Sequence, residues 1–504
     1  MFNDLRKLFS RAAASHRIHV AEFGDDRTRH DNEVGLVLAA YRKKLMRQPI
    51  SGRDKKKLRI SKRRYAKDRS RKALKSIRTN RRPQFTLDEL LYGRFIDSRI
   101  VSSFKEDRRS DWVPLVRRRP SRRFAAIDLK DFSFIDHPQV TLDKLAKIAE
   151  FECHAVEAQL HFDDHYCLDI GPYLVLAEMW PQLAKVFRGG RMGVPVQKVI
   201  DALGLRRDLT MQLRDIDQLP LSERQDVWAF PRRTRRPAGS SRDVNRNLQP
   251  QVKEKVADEF CDMLNDWFGE ATKELVLKKE AKSRLANIFG ELLDNAERHS
   301  SDTPGDGTWS TAAFMARRIE NGTEVYRCHM AFLSVGRTIA EGLDAAPASI
   351  RDQISEYCER HKKTGISRET LSTLVALQDG VTRDADAVDK QRGGVGLQDI
   401  MQIVNIIGLT NRDEEKPKMT IVSGHSCIQA RQPYLQGSSK QGDDRRFLWF
   451  NSENRPEYPP DERFVFDLVT KFPGTIIGIT FVMSKEALLA VLNADDRTGT
   501  TDKR

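Results

Sequence analysis

Positive charge is concentrated in one segment of this 504-residue chain, and that segment cannot supply a hydrophobic core. Residues 42–82 contain 20 lysines and arginines, opposed only by Asp54 and Asp68, so the segment carries a formal charge of +18. The whole chain carries +15, which leaves the remainder close to neutral. A block of like charges repels itself unless anions neutralise it. The core must therefore form elsewhere, and dense apolar helices and strands in the second half exclude a wholly disordered protein.

The basic segment is typical of an arm that binds DNA or RNA, because each phosphate contact releases condensed counterions. Tyr65 is the one aromatic residue between residues 42 and 82, so base stacking is not indicated. We therefore expect contacts to phosphates without recognition of base sequence. The alternative is a solvated tether.

Three features predict a cytoplasmic protein that does not enter a membrane. No stretch approaches the roughly 18 consecutive apolar residues of a membrane helix. The N-terminus, MFNDLRKLFSRAAASHR, contains Asp4 and no continuous apolar run, which argues against a secretory signal. The six cysteines are widely spaced and form no C-x-x-C pair, so we expect buried, reduced thiols.

The pattern along the chain predicts an α+β protein with five regions. We expect the following order: a basic, mainly helical or irregular region over 1–120 with a helix at 85–96, a small α/β domain over 121–230, a linker over 231–249, a large domain over 250–492, and a flexible tail over 493–504.

A predicted helix over 281–299, AKSRLANIFGELLDNAERH, carries polar residues on one face beside an apolar stripe. Glu291, Asn295 and His299 follow one another at four-residue spacing and so share a face. A carboxylate can deprotonate water, and an amide oxygen is a hard ligand for Mg²⁺. Many surface helices contain this pair, so the helix alone does not identify a site.

Four glycine-containing segments follow the helix. CHMAFLSVGRTIAEGL predicts a strand with a bend at Gly336, and QRGGVGL precedes an apolar helix. Backbone N–H groups at such a helix start can bind phosphate. MTIVSGHSCIQA predicts a strand that ends in a Ser-Gly turn, and PGTIIGITF predicts one that opens with Gly474-Thr475.

In this order the segments resemble the GHKL ATP-binding family of gyrases, heat-shock chaperones, histidine kinases and MutL-type ATPases. ELLDNAERH resembles the N-box, RGGVGL the second glycine box and PGTIIGITF the closing Gly-Thr strand. The resemblance covers roughly 250–485. It implies a Bergerat-type α/β sandwich, a mixed sheet with helices on one face, and the cofactors ATP and Mg²⁺.

The resemblance also implies a role for each matching residue. Glu291 falls on the general base of the hydrolytic members, Asn295 on the Mg²⁺ ligand and Thr475 on a residue that holds the adenine. Within RGGVGL, the residues at the phosphate-binding lid loop are Gly393, Gly394, Gly396 and Leu397. The segment 344–392 would be the mobile lid.

The first glycine box departs from the family pattern D-x-G-x-G. Gly336 is in place, but Ser334 replaces the aspartate that receives the adenine amino group, and Thr338 replaces a glycine. A hydroxyl accepts that hydrogen bond without charge assistance. Weak ATP affinity, altered base selectivity and a non-hydrolysing site are the consequences this departure leaves open.

A fainter resemblance to STAS-type domains covers 124–220. The nearest match to the family's phosphoacceptor turn is Asp169-Ile170-Gly171-Pro172, which has no serine, so phosphorylation there is not supported. The HFDDH segment over 161–165 is more typical of a polar loop than of a metal site.

These features favour a GHKL-type ATPase in which binding and hydrolysis of Mg-ATP drive a conformational switch. The domain architecture alone suggests a role in bacterial regulation or defence. The alternative is a protein kinase or anti-sigma-type regulator that phosphorylates or sequesters a protein partner. A third is a nucleic-acid-binding module that ATP gates. Expected partners besides ATP are DNA or RNA, a protein partner or a second copy in a homodimer.

Overall fold

A computed structural model describes part of the chain. The described residues are the following: 64, 91–93, 99–104, 112–114, 125–153, 158–184, 186–211, 226–235, 252–272, 277–301, 307–320, 323–381, 396–408, 412, 415–435, 437–439 and 445–483. Over these ranges the chain is an α+β protein. None of the helices in them combines the length and the apolar character that crossing a membrane requires.

The strands, in chain order, are as follows: β1 Leu91–Gly93, β2 Trp112–Pro114, β3 Ala125–Asp128, β4 Ala158–Phe162, β5 Phe187–Met192, β6 Val227–Arg235, β7 Thr308–Glu320, β8 Thr323–Val335, β9 Lys418–Ala430, β10 Ser438–Ser439, β11 Arg446–Phe447 and β12 Val465–Met483.

The helices, in chain order, are as follows: α1 Arg99–Phe104, α2 Pro138–Cys153, α3 Gly171–Leu183, α4 Val194–Ala202, α5 Leu205–Asp208, α6 Lys253–Thr272, α7 Lys279–His299, α8 Ile339–Leu343, α9 Ala348–His361, α10 Arg368–Ala376 and α11 Gly396–Ile407.

The chain divides into two compact units. The first comprises residues 1–128, 146–161 and 181–191, and the second comprises 129–145, 162–180 and 192–504. In the first unit β1 pairs with β2 antiparallel, and β3 pairs with β4 parallel. The predicted helix over 85–96 is wrong at Leu91–Gly93, because these residues pair with Trp112–Pro114 and tertiary pairing overrides a local helical pattern.

The second unit is built on a five-stranded sheet with the order β6-β7-β8-β12-β9. Each of its four pairings is antiparallel, whereas the resemblance implied a mixed sheet. Two residues separate β7 from β8, and so short a connection makes this pair of strands antiparallel. Residues 231–235, predicted as the start of a linker, belong to the edge strand β6.

The main core lies between one face of this sheet and the helices α6, α7, α9, α10 and α11. The opposite face is also covered, since Gly171 approaches Ile476 and Gly478 approaches Ile135. Helices on one face alone, as the resemblance implied, therefore do not describe this sheet. The five cysteines whose side chains are described are buried free thiols, as the sequence predicted.

Candidate functional site

Helix α7 carries the polar pair that the sequence singled out, and its apolar stripe holds it against the sheet. Leu285, Ile288 and Leu293 are buried, and Phe289 stacks on Phe260 with ring centroids 4.0 Å apart. Burial of this stripe leaves the opposite face for polar side chains. Asn295 is exposed and lies near the C-terminal end of the helix.

Ser334 lies in the centre of a row that crosses the sheet. It is directly opposite Trp309 of β7 and directly opposite Thr475 of β12, and Thr475 is in turn opposite Ser423 of β9. Side chains of directly opposed residues project from the same face of a sheet. An indole and three hydroxyls therefore follow one another across four strands.

The turn after β8 is held on both sides. Gly336 has a φ of 135°, and its N–H donates to the carbonyl of Pro473 at 3.2 Å. The N–H of Arg337 donates to the carbonyl of Ser300, at the end of α7, at 3.0 Å. The left-handed φ explains the glycine at position 336 and agrees with the predicted bend there.

Thr338 caps helix α8 with a complete capping box. Its hydroxyl accepts from the N–H of Glu341 at 3.1 Å, and its own N–H donates to the Glu341 carboxylate at 2.9 Å. The resemblance implied a cofactor-binding residue at this position. Thr338 does lie at the cavity described below, and its hydroxyl oxygen has a structural acceptor role there.

Gly474 permits the close approach of β12 to β8. Its φ is 135°, and a Cβ atom at this position would lie 2.1 Å from the carbonyl oxygen of Ser334. No side chain is compatible with that distance. Glycine at position 474 therefore brings Thr475 into register with Ser334.

Ser423, the last residue of this row, contacts two parts of the site. Its Oγ accepts from the N–H of Ile339 at 2.9 Å and lies 2.8 Å from Oγ1 of Thr475. The predicted Ser-Gly turn at this point is wrong, since β9 continues through Ser423 and Gly424. Gly424 instead takes a φ of 61° where β9 and β12 shift register.

A cavity of about 220 Å³ is enclosed by these elements. Its polar lining residues are Asn295, Ser300, Ser310, Ser334, Arg337, Thr338 and Thr475. Its apolar lining residues include Leu292, Leu293, Ala296, Trp309, Phe332, Leu333, Ile339, Leu343, Ala376, Leu377, Val381 and Ile477. An apolar pocket with a few convergent polar groups is the usual form of a small-molecule site.

Trp309 forms a rigid part of the cavity wall. Its indole N–H donates to Glu297 at 2.9 Å, and Glu297 also pairs with Arg235. Trp309 and Glu297 are both buried. A tryptophan fixed in this way presents a flat apolar surface at little cost in side-chain entropy.

Glu291 lies one helical turn before Asn295 and is not among the described residues that line the cavity. It is half-buried, and burial is the main cause of its raised pKa. The carboxylate of Asp399, in the first turn of α11, raises the pKa of Glu291 further. A carboxylate with a raised pKa is a stronger base once it is ionised.

Arg446 holds Asp399 in place from the opposite side. Its guanidinium donates to Asp399 at 2.9 Å, to Gln402 at 3.0 Å and to Asp379 at 3.1 Å, and its backbone N–H donates to Asp379 at 2.9 Å. Asp379 is buried, and burial raises its pKa while the Arg446 contacts lower it. The guanidinium thus connects Asp399, in the first turn of α11, with Asp379, which follows α10.

Several predicted residues fall outside or at the limits of the described ranges. Gly393 and Gly394 lie outside them, and Gly396 and Leu397 are the first two residues of α11. Of the basic segment 42–82, Arg64 alone is described.

The structure thus brings Asn295, Ser334, Thr338 and Thr475 to one cavity, with Gly336 in the adjoining turn. Sequence reasoning missed Trp309 and the contacts of Ser423. Nothing in the sequence distinguishes a tryptophan that lines a binding cavity from one that is buried in the core of a sheet. Ser423 had a sequence signal only as part of the expected Ser-Gly turn.

Comparisons of the chain with protein-family models, with curated proteins and with solved structures find no match.

Proposed function

We propose that this protein binds Mg-ATP in the cavity between α7 and the sheet and hydrolyses it, with Glu291 as the base. The proposal includes a GHKL-type arrangement of the nucleotide, with the base near Ser334 and Thr475 and the phosphates toward Asn295 and the start of α11. ATP binding and release would then switch the conformation of the chain.

One observation carries the proposal. Asn295, Ser334 and Thr475 belong to three motif-like segments far apart in sequence and line the same cavity. A chance resemblance in sequence gives no reason for such convergence. The backbone supports it too, because Gly474 and Gly336 both adopt a φ that favours glycine.

The chemistry of the lining fits a nucleotide base. Trp309, Phe332 and Ile477 provide flat or apolar surfaces, while Ser334 and Thr475 provide hydroxyls at one wall. Arg337 is the one basic side chain among the described lining residues and suits an anionic ligand. Purines combine an apolar face with a polar edge and match such a lining.

The donor set also fits Mg²⁺. The exposed amide of Asn295 offers a hard oxygen, and the phosphates of ATP would supply further oxygens. When bound there, Mg²⁺ would neutralise charge on the phosphates. Glu291, one turn before Asn295 on α7, would accept a proton from a water molecule near them, and its raised pKa suits that role.

The test is binding and turnover of ATP by the full chain with Mg²⁺. Calorimetry should detect ATP binding by the unaltered protein and weaker binding by Asn295→Ala. Asn405→Ala is the matched control, because Asn405 donates to the Leu435 carbonyl at 2.7 Å and does not line the cavity. Equal ATP affinity in all three proteins would contradict the proposal.

The products separate ATPase from kinase activity. Release of inorganic phosphate that depends on Glu291, without labelled protein, supports hydrolysis. Transfer of the γ-phosphate to a protein in place of release would favour the kinase alternative.

A further inference from the structure

The row of hydroxyls behind the cavity contains one residue that the proposed function does not use. Ser423 is fully buried and is not among the described lining residues, yet it contacts both Thr475 and the start of α8. We propose that Ser423 is a positioning residue that makes the Thr475 hydroxyl a hydrogen-bond donor toward a ring nitrogen of the bound base. This inference rests on the proposed function and deepens it.

The first step is the balance of donors and acceptors at Ser423. Its oxygen already accepts from the N–H of Ile339 at 2.9 Å. Its own proton therefore needs an acceptor, because a buried hydroxyl without one is costly. Among the described residues, Oγ1 of Thr475 lies at 2.8 Å from Ser423 Oγ. Donation from Ser423 to Thr475 satisfies the fully buried group.

The second step concerns Thr475. Once its oxygen accepts from Ser423, its own proton remains to be donated. Thr475 is only half-buried and lines the cavity, so that proton is available to a ligand. Hydrogen bonds in series polarise one another, which strengthens the last donor of the chain from Ile339 through Ser423 to Thr475.

The third step is the match to a ligand edge. Ser334 lies directly opposite Thr475, where Cβ atoms are typically about 4.5–5.5 Å apart. Its hydroxyl can accept while Thr475 donates. A ring edge with an amino group beside an unprotonated ring nitrogen matches this pair, and the N6–N1 edge of adenine has that arrangement.

The experiment compares ATP with 1-deaza-ATP, in which a C–H group replaces ring nitrogen N1. Affinities are measured by calorimetry with Mg²⁺ on the full chain. For the unaltered protein we expect a preference for ATP of about 2- to 13-fold, the range of one net hydrogen bond. Thr475→Val should bring the ratio of the two affinities close to one.

Ser423→Ala should reduce the same ratio to less than half of its original value. Ser423→Cys has a similar volume and a weaker hydrogen-bond donor, so its affinity ratio should lie between those of the unaltered protein and Ser423→Ala. This variant keeps the test valid if Ser423→Ala does not fold. Ser426→Ala is the matched control, since Ser426 is a fully buried serine of the same strand whose hydroxyl contacts Thr373 at 3.1 Å. It should keep the original ratio.

A purely structural role of Ser423 would weaken ATP and 1-deaza-ATP equally and leave the ratio unchanged, which overturns this inference alone. If Ser423→Cys and Thr475→Val, each as a single variant, both keep the original ratio of ATP to 1-deaza-ATP affinity, this inference is likewise overturned. Absence of ATP binding by the unaltered protein overturns the proposed function and this inference together.

Discussion

Ser334 lies directly opposite Thr475 on the β8–β12 ladder, although more than a hundred residues separate them in sequence. Both side chains therefore lie in the same wall of the cavity. The approach depends on Gly474, whose φ of 135° brings β12 within contact of the Ser334 carbonyl. The pair thus brings the end of β8 next to the Gly474-Thr475 part of β12, at the wall where the base of a nucleotide is proposed to bind.

Replacing Ser334 by aspartate should increase the preference for ATP over GTP. A carboxylate accepts the adenine amino group through a charge-assisted bond, which is roughly twice as strong as a neutral one, and it disfavours the carbonyl of guanine. The measurement is the ratio of ATP and GTP affinities for both proteins. Ser334→Asn serves as the neutral control at the same position. A substitution of the neighbouring Ser310 would not serve, because the Ser310 hydroxyl accepts from Arg232. No gain for the aspartate over the asparagine would show that Ser334 does not contact the base.

Glu291→Gln should lower the turnover of ATP by at least about 10²-fold and leave its affinity almost unchanged, since a general base acts on water. Burial and Asp399 raise the pKa of Glu291, so activity should be lost as the pH falls through that raised pKa. The pH profile of turnover tests both parts. Asp399→Asn should move the acidic limb to lower pH. Glu280→Gln, in the first turn of the same helix, is the control and should keep the activity.

The segment 42–82 should bind DNA or RNA through its charge of +18 and without sequence preference. Counterion release predicts a log–log salt slope of about −0.9 for each phosphate neutralised on duplex DNA. Binding to two unrelated duplexes, measured between low and physiological salt, should give the same slope. Deletion of 42–82 should remove most of it and leave ATP binding intact. Binding that does not vary with salt would identify a different kind of contact.

Asp169 should make the protein less stable as the pH rises from about 4 to about 6. It is fully buried, and burial raises its pKa from 3.8 to about 6 despite hydrogen bonds from the N–H groups of Phe134 and Gly171. A group with a raised folded-state pKa contributes stability below its unfolded pKa and loses it as the pH rises through the folded pKa.

Urea unfolding across this pH window compares Asp169→Asn with the unaltered protein. The variant has one fewer acceptor for the two N–H groups and should be about 1–3 kcal/mol less stable at low pH. The difference between the two proteins should shrink toward neutral pH. A constant difference over the whole window would contradict the raised pKa.

His329→Phe should make the protein more resistant to acid. His329 is buried and stacks on Phe314 at 4.7 Å, and its two ring nitrogens have no hydrogen-bond partner among the described residues. Burial, followed by Arg318, Arg327 and Lys418, lowers the pKa of His329 well below 6.5. The unfolded state therefore binds a proton more readily, and stability falls as the pH drops below about 6.5. Phenylalanine keeps the ring contact, so the variant should lose less stability between about pH 7 and pH 5 in thermal unfolding. An identical loss would contradict this account.

The local elements around the site were largely predictable from sequence, because their signals are short-range. The apolar stripe of α7, with Leu285 and Phe289, follows helical periodicity, and Gly336 was expected at a bend. The α+β class also follows from the alternation of such segments. The strand at Leu91–Gly93 shows the limit of this approach, since a helical pattern there was overridden by pairing with a distant segment.

The charge of residues 42–82, the polar face of α7 with Asn295, and the glycines at tight backbone positions can all be recognised without the fold. These depend on residue type and on spacing within one element. The tertiary fold, in contrast, puts β12 between β8 and β9 and so places Thr475 between Ser334 and Ser423. It also placed Trp309 beside Ser334, Asp399 near Glu291, and residues 129–145 and 162–180 in the same unit as the sheet. The physical reason is that strand order and register follow from the summed burial of side chains across the whole core, which no local pattern records.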